Sequence, residues 1–545
     1  MTHPNPSTAL ARVVVDEMAN QGVEVVVISP GSRSAAVAIA ASGHDSIETI
    51  VVIDERSAAF HALGVARATG RPAAVVSTSG TAPANFLPAI VEADMSCVPI
   101  VVITADRPAE MQGVGANQTI DQVEMFGEKV RAYTGIEAPD TTVDRNAEWR
   151  GAIARIVKAA HGAHPGPAHL NVRFREPTVP VTDDGRTTAS EYPFPTPRID
   201  SATPVIAAEQ VEMPVLAPRR GIVIAGDGDY DREALEARAA ALNWPVLATA
   251  LSGMRDDDVV TTYHHLLAGG VETALRPETV VAVGAIGPSP RLESVIASAR
   301  DRVRIDVWGR TIDPQRTATR IIAGDVDRLL RRVEGAADED WPVVWADADK
   351  RCRQRLDDIL NGDQYMSGAA VASALNDVDW GSLVVASSLP IREVDAHLRR
   401  RGPVLANRGA SGIDGFVSTA LGVASRIPRT LAVCGDLSLL HDSNGFINDG
   451  DLDLTIVLID NGGGGLFDSL PQALHAPDYE RLFVTPPHRD FDTLARLHGL
   501  RYAEASTRDD LVSLVGETLP RPGLDLIRVP VDRSHDLQVR SQLDG

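Results

Sequence analysis

Cysteine is scarce in this sequence. Three occur in 545 residues, Cys97, Cys352 and Cys434, and no two form a CxxC pair. That excludes a disulfide framework and the usual zinc patterns, and it fits a reducing compartment such as the cytoplasm. Cys97 and Cys434 stand in or beside apolar runs, so packed free thiols are expected. Long hydrophobic runs are also missing: none approaches the ~18–20 residues of a membrane span. The opening MTHPNPSTALARVVV has no basic stretch followed by an apolar core, so no secretory signal is expected. Positive charge is in deficit, with 52 Lys and Arg against 74 Asp and Glu, a formal net charge of −22. Such a surface repels nucleic-acid phosphates and anionic lipid, so neither partner is expected. Anionic substrates would need arginines gathered locally. A dinucleotide fingerprint is missing too: GIVIAGDGD (221–229) lacks the full GxGxxG.

What is present is an ordinary globular composition, 44% hydrophobic and 23% charged. The length suggests three domains or four, at ~100–200 residues each. Short β-branched runs alternate with helical patterns. In the first block the runs are EVVVIS (24–29), TIVVID (49–54), AAVVST (73–78) and PIVVIT (99–104). From Arg175 to Arg219 the chain carries eight prolines and little periodicity, which reads as a linker. A second α/β block begins at GIVIAGDGD, and a third carries LVVASS (383–388), TLAVCGD (430–436), LTIVLIDN (454–461) and LIRVPVD (526–532). The expected fold is α/β: three doubly wound parallel-sheet domains in series. The expected divisions are 1–180, a linker over 181–219, 220–335, a linker or helix over 336–364, and 365–545. In such sheets ligands bind beyond the carboxyl ends of the strands, where Ser32, Arg33, Glu55, Gly80 and Arg107 all fall.

The sharpest motif is in the third block. Asp436 ends one apolar run, and Asn461 ends another 25 residues later, leading into a glycine run. A carboxylate, an amide oxygen and a backbone carbonyl suit a hard cation such as Mg²⁺, which also takes phosphate oxygens. The glycines let the backbone approach a diphosphate. The bland alternative is a pair of ordinary strand-end turns. Glu55 likewise has a bland reading, as an acid placed to favour a helix start.

Together these features resemble the thiamine-diphosphate-dependent enzymes. The resemblance implies that Asp436, Asn461 and the Gly463 carbonyl hold Mg²⁺, with Gly80, Gly435, Leu437 and Ser438 beside the cofactor. It implies that Glu55, in DERSAAFHALGVA (54–66), contacts N1′ of the aminopyrimidine, and that Ile413 props the cofactor into its bent shape. The family commonly has Asn-Asn where this chain has Asp460-Asn461, and the spacing here is slightly short. Further pieces are similar to one branch of the family: ISPGSRS (28–34), TSGTAPAN (78–85), TADRP (104–108), GANQTI (115–120), NRGASGIDG (407–415) and GDLSLLHD (435–442). That branch decarboxylates 2-oxoglutarate and adds the succinyl carbanion to isochorismate in menaquinone biosynthesis. Both substrates are dicarboxylates, which arginine forks bind bidentately. By the same resemblance Ser32, Arg33, Arg107, Gln118, Ser388, Arg392 and Arg408 line the substrate site, with Leu466, Phe467 and Leu470 as its apolar wall. The branch often has a middle-block lysine reaching the substrate; this chain has Arg291 nearby, in GPSPRLES. The implied assembly is a homodimer or homotetramer with Glu55 and Asp436 of each site drawn from different subunits. The nearest rival is an acetolactate-synthase-like enzyme. His61 and His441 are expected as satisfied histidines of helix or core.

Overall fold

The structure, a computed structural model, describes residues 5–139, 145–179, 220–287, 289–363, 365–448 and 451–544. The proline-rich stretch expected as a linker over 181–219 lies outside them. The chain divides into two compact units: one comprises 1–205, 407–428 and 440–452, the other 206–406, 429–439 and 453–545.

The first unit is built on six parallel strands: β1 (Val25–Ile28), β2 (Glu48–Val51), β3 (Ala73–Ser77), β4 (Ile100–Asp106), β5 (Tyr133–Glu137) and β6 (Pro167–Arg173). Their order is β2-β1-β3-β4-β6-β5. Successive side chains point to opposite faces, so an apolar run feeds two cores. Val26, Ile28, Val76 and Val101 enter one core with helices Pro6–Asn20 and Asn146–Ala160; Val25, Val27, Val75 and Val102 enter the other with Glu55–Thr69 and Leu87–Ser96. A second helix, Phe416–Ala424, crosses Glu55–Thr69 at a pair of glycines. A Cβ on Gly64 would stand 2.2 Å from the Thr419 carbonyl oxygen, and one on Gly422 would stand 2.2 Å from that of His61. Only glycine permits so close a backbone approach. Asp442 ties the same crossing: its carboxylate accepts from the Ser418 N–H at 2.8 Å and the Ser57 hydroxyl at 3.4 Å.

The second unit holds two parallel sheets. The middle one contains β7 (Gly221–Ala225), β8 (Val246–Ala248), β9 (Thr279–Val283), β10 (Asp301–Asp306) and β11 (Arg320–Ala323), ordered β11-β10-β9-β7-β8. The last contains β12 (Ser382–Val385), β13 (Val404–Leu405), β14 (Thr430–Gly435), β15 (Leu454–Asp460), β16 (Arg501–Glu504) and β17 (Leu524–Pro530), ordered β13-β12-β14-β15-β17-β16. Its permutation repeats that of the first unit's sheet strand for strand. The three parallel-only sheets with interleaved helices give the α/β class expected from the sequence. The stretch 336–364 contains the helix Asp340–Gly362, whose Trp341 and Trp345 fill the middle core while Cys352, Leu356 and Leu360 pack against Val539 and Leu543 of the C-terminal helix. All three cysteines are free and buried, and no helix among the described residues is long and apolar enough to cross a membrane.

Candidate active site

Strand order decides which loops can meet. In the second unit β14 lies between β12 and β15, so the turns after these three strands share one edge of the sheet. The chain reverses its winding between β12 and β14, and a crevice opens at such a point. Asp436 follows β14, Asn461 follows β15, and Ser388 lies just past β12. Asp436 is buried, with 1% exposure. Its Oδ1 accepts from the Leu437 N–H and its Oδ2 from the Gly463 N–H, each at 2.6 Å. Burial, and after it the nearby Asp460 carboxylate, outweigh these donors and push its pKa up to about 7. A buried carboxylate short of positive charge is the chemistry a hard cation completes. Asn461 is half-buried, and among the described residues no hydrogen bond holds its side-chain amide. The Gly463 carbonyl already accepts from the Gly465 N–H at 2.9 Å, which leaves a second lone pair. These donors fit a Mg²⁺-sized ion carrying phosphate oxygens. Asp460, the departure from Asn, is neutralised by Arg528 at 2.7 Å.

The glycine run has two distinct jobs. Gly463 has φ 126°, and a Cβ there would lie 2.2 Å from the Val484 carbonyl oxygen; at Gly465 a Cβ would lie 2.5 Å from Asn461 Nδ2. The run thus seats the Asn461 amide and packs against the segment ending at Val484. Phe467 meets Phe483 edge-on at 5.5 Å, Leu466 is half-buried, and Leu470 is 37% exposed.

Ser388 has φ 76° and ψ −129°, a region that suits glycine and strains serine. It stands at the N-cap of helix Leu389–His397, yet its hydroxyl makes no cap bond. Arg392 is exposed one turn on and folds its Nη1 onto the Ser388 carbonyl at 2.6 Å.

In the first unit, the ends of β2, β1, β3 and β4 are adjacent, and they carry Glu55, Ser32 and Arg33, Gly80 and Arg107 respectively. Asp54 caps the helix by accepting from the N–H groups of Arg56 (2.9 Å) and Ser57 (3.3 Å). The capping role is therefore filled, and the half-buried Glu55 carboxylate has no hydrogen-bond or ion-pair partner among the described residues. Gly80 (φ 85°) and Gln118 lock together: Gln118 donates to the Ser79 carbonyl at 2.9 Å, and a Cβ on Gly80 would be 2.6 Å from Gln118 Cγ. Arg107 is half-buried, with Nε enclosed and without a hydrogen-bond partner among the described residues. Ser32 is exposed. Arg33 is buried, donating to the Phe174 carbonyl and pairing with Glu176, both at 2.9 Å. Arg408 and Ile413 are half-buried in the loop before Phe416–Ala424.

A family described as thiamine pyrophosphate enzyme, N-terminal TPP binding domain, matches residues 8–125. Over the full length, the chain is 40% identical to a 2-succinyl-5-enolpyruvyl-6-hydroxy-3-cyclohexene-1-carboxylate synthase of Thermobifida fusca, across 99% of this chain and 98% of that protein. A protein of the same name from Geobacillus thermodenitrificans is 37% identical (96% and 94%), and one from Halorubrum lacusprofundi is 36% identical (100% and 98%).

The chain belongs to the 2-succinyl-5-enolpyruvyl-6-hydroxy-3-cyclohexene-1-carboxylate synthase family.

This family membership covers the middle block as well, where the sequence motifs are weakest, and it favours the synthase reading over an acetolactate-synthase-like enzyme. The middle block's GDGD turn is closed. Asp227 and Ala285 exchange two backbone hydrogen bonds of 2.8 Å, and a Cβ on Gly284 would lie 2.3 Å from the Asp227 carbonyl oxygen. Its glycines serve this loop contact. Arg291 pairs with Asp544 of the C-terminal helix at 2.7 Å. His61 is buried, its Nε2 without a hydrogen-bond partner among the described residues, and burial lowers its pKa to about 4.

Three carboxylates hold loops or helices that carry candidate site residues, and two of them, Glu92 and Asp395, lie outside the sequence motifs. Glu92, 2% exposed, accepts from the N–H groups of Gly409 (2.8 Å) and Ala410 (2.6 Å), and so holds the loop carrying Arg408 and Ile413. Asp106 is fully buried at the end of β4, and burial raises its pKa. It accepts from the Arg107 N–H at 2.7 Å, Gln112 at 3.1 Å and Asn171 at 3.0 Å. Asp395 is the third. TADRP contains its own holder, Asp106, whereas Glu92 and Asp395 lie in no motif.

Proposed function

We propose that this chain decarboxylates 2-oxoglutarate and adds the resulting succinyl carbanion to isochorismate, forming 2-succinyl-5-enolpyruvyl-6-hydroxy-3-cyclohexene-1-carboxylate and CO₂ in menaquinone biosynthesis. Full-length similarity to synthases of that name carries the reading. Bound thiamine diphosphate supplies the nucleophilic carbon and the electron sink. Asp436, Asn461 and the Gly463 carbonyl hold Mg²⁺ for its diphosphate, beside Gly435, Leu437 and Ser438. Glu55, free of other partners among the described residues, holds a proton at N1′ of the aminopyrimidine. Gly80 and Ile413 shape the cofactor's seat. Ser388 and Arg392 take the 2-oxoglutarate carboxylates, while Ser32, Arg107, Gln118 and Arg408 serve the remaining carboxylates. Arg33 joins them by exchanging the exposed Glu176 for a substrate carboxylate. Phe467 and Leu470 exclude water from the carbanion.

The working unit is a cytoplasmic homodimer or homotetramer with active sites at the subunit interface. Its three domains are a pyrimidine-binding domain over 1–180, a central one over 220–335 and a diphosphate-binding one over 365–545. The deciding assay supplies 2-oxoglutarate with isochorismate in parallel with pyruvate alone. Product from the first pair supports the reading. Pyruvate condensation with no turnover of 2-oxoglutarate assigns an acetolactate-synthase-like activity instead.

A further inference from the structure

Helix Leu389–His397 presents Ser388 at its start and Arg392 one turn in. Its far end is held by the middle block. The last carbonyls of a helix lack intrahelical donors, and a cation placed there is favoured by the helix dipole. Arg255, 1% exposed, fills that role. Its Nη1 donates to the carbonyls of Leu398 (2.5 Å) and Val394 (3.4 Å), and its Nη2 to that of Asp395 (2.6 Å). Its Nε donates to the Ala248 carbonyl at 2.9 Å, at the end of β8.

The Asp395 side chain completes the clamp. Oδ1 accepts from the Ala250 N–H at 2.7 Å and from Arg255 at 3.1 Å; Oδ2 accepts from the Tyr263 hydroxyl at 2.6 Å and meets His264 Nε2 at 2.7 Å. Burial alone would raise this carboxyl's pKa. The His264, Arg255 and Tyr263 contacts outweigh it and hold the group well below the usual carboxylate range. Every one of these partners comes from residues 248–264, so the middle block anchors the C-terminal end of this short helix. A rotation there moves Arg392 directly, because nine residues are too few to absorb it.

We propose that Asp395 and Arg255 are positioning residues for the donor subsite, and that the middle block acts in the reaction by aiming Ser388 and Arg392 at the 2-oxoglutarate carboxylates. This rests on the substrate reading given above. Misplacing a binding group by a fraction of an ångström is enough to weaken substrate selectively.

The test is steady-state kinetics on the full-length enzyme loaded with thiamine diphosphate and Mg²⁺. Asp395→Asn keeps the side chain's shape and loses its charge; Tyr263→Phe removes a single donor and is the milder change. Asp395→Asn should raise KM for 2-oxoglutarate by about tenfold and Tyr263→Phe by about threefold. In both, KM for isochorismate and calorimetric affinity for thiamine diphosphate should stay within about twofold. Hydrogen exchange over 389–398 should quicken in Asp395→Asn. In an Arg392→Ala background, neither change should add a further KM penalty. Full additivity with Arg392→Ala overturns the positioning role. So does an equal loss across cofactor affinity, isochorismate KM and kcat, which marks general destabilisation. Unchanged 2-oxoglutarate KM in Arg392→Ala alone strikes earlier: it removes the donor-site reading and this proposal with it.

Discussion

Ser388 and Glu55 stand out at the residue scale by what they leave undone. Ser388 occupies strained backbone without capping its helix. Strain of this kind costs of order 1–3 kcal/mol, more than the ~0.5–1 kcal/mol entropic penalty of glycine. Ser388→Gly should therefore raise unfolding free energy by about 1 kcal/mol in urea titration while raising KM for 2-oxoglutarate. A loss of stability would show that the backbone is unstrained, and an unchanged KM would show that the hydroxyl is unused. Gly463→Ala should act oppositely. Its Cβ would meet the Val484 carbonyl at 2.2 Å with φ 126°, so a loss of about 2 kcal/mol is expected together with weaker cofactor binding. Full stability and affinity in that variant would remove Gly463 from the site. That the turns after Asp436 and Asn461 face one crevice was legible in the sequence, because each follows an apolar strand and strand ends converge; the Gly463 N–H that binds Asp436 was not. Arg33 was legible as a cation at a strand end, but its burial was not. The Phe174 carbonyl that receives it lies 141 positions away, beyond the reach of local pattern.

Among the elements, the crossing of Glu55–Thr69 with Phe416–Ala424 matters most. It seats Glu55 at one end and the Arg408–Ile413 loop at the other. The apolar periodicity of each helix was readable, but their mutual contact was not, since small residues on two helices carry no address. His61 lies within this crossing, its pKa lowered to about 4 by burial first and Arg426 second, against Glu48. The sign follows directly. The unfolded histidine, near 6.5, binds its proton earlier on acidification than the folded one. Stability is therefore fully present above pH 6.5 and falls as pH drops toward 4. The shift corresponds to about 3 kcal/mol across that window. Comparing urea-unfolding free energies at pH 7 and pH 4.5 for the wild type and His61→Gln isolates the effect. The variant should show a shallower pH dependence by roughly that amount. Equal slopes would mean that His61 protonates without cost.

At the scale of the whole molecule, the first and last sheets repeat one strand permutation, and each gathers its site residues on adjacent strand ends. The sequence could show that both were parallel α/β sheets, because apolar runs alternated with helical patterns. The shared permutation was invisible, since neighbours in a sheet are chosen by packing of connecting helices. One sheet carries Glu55 and the other Asp436, so the proposed site draws on both. If each active site takes Glu55 from one subunit and Asp436 from its partner, two inactive variants can rescue each other. In a Glu55→Gln and Asp436→Ala heterodimer, one site carries both changes and the other carries neither. Random reassortment makes half the dimers mixed, each with one intact site of two, so activity should recover to about a quarter of wild type. Mixing the purified variants, exchanging subunits in mild denaturant and assaying after its removal provides the measurement. Recovery confined to the background of the separate variants would place both residues of each site in one subunit. The same samples also test the cation site. Thermal stabilisation by thiamine diphosphate with Mg²⁺ should persist in Glu55→Gln and vanish in Asp436→Ala, because only the latter removes a proposed ligand oxygen.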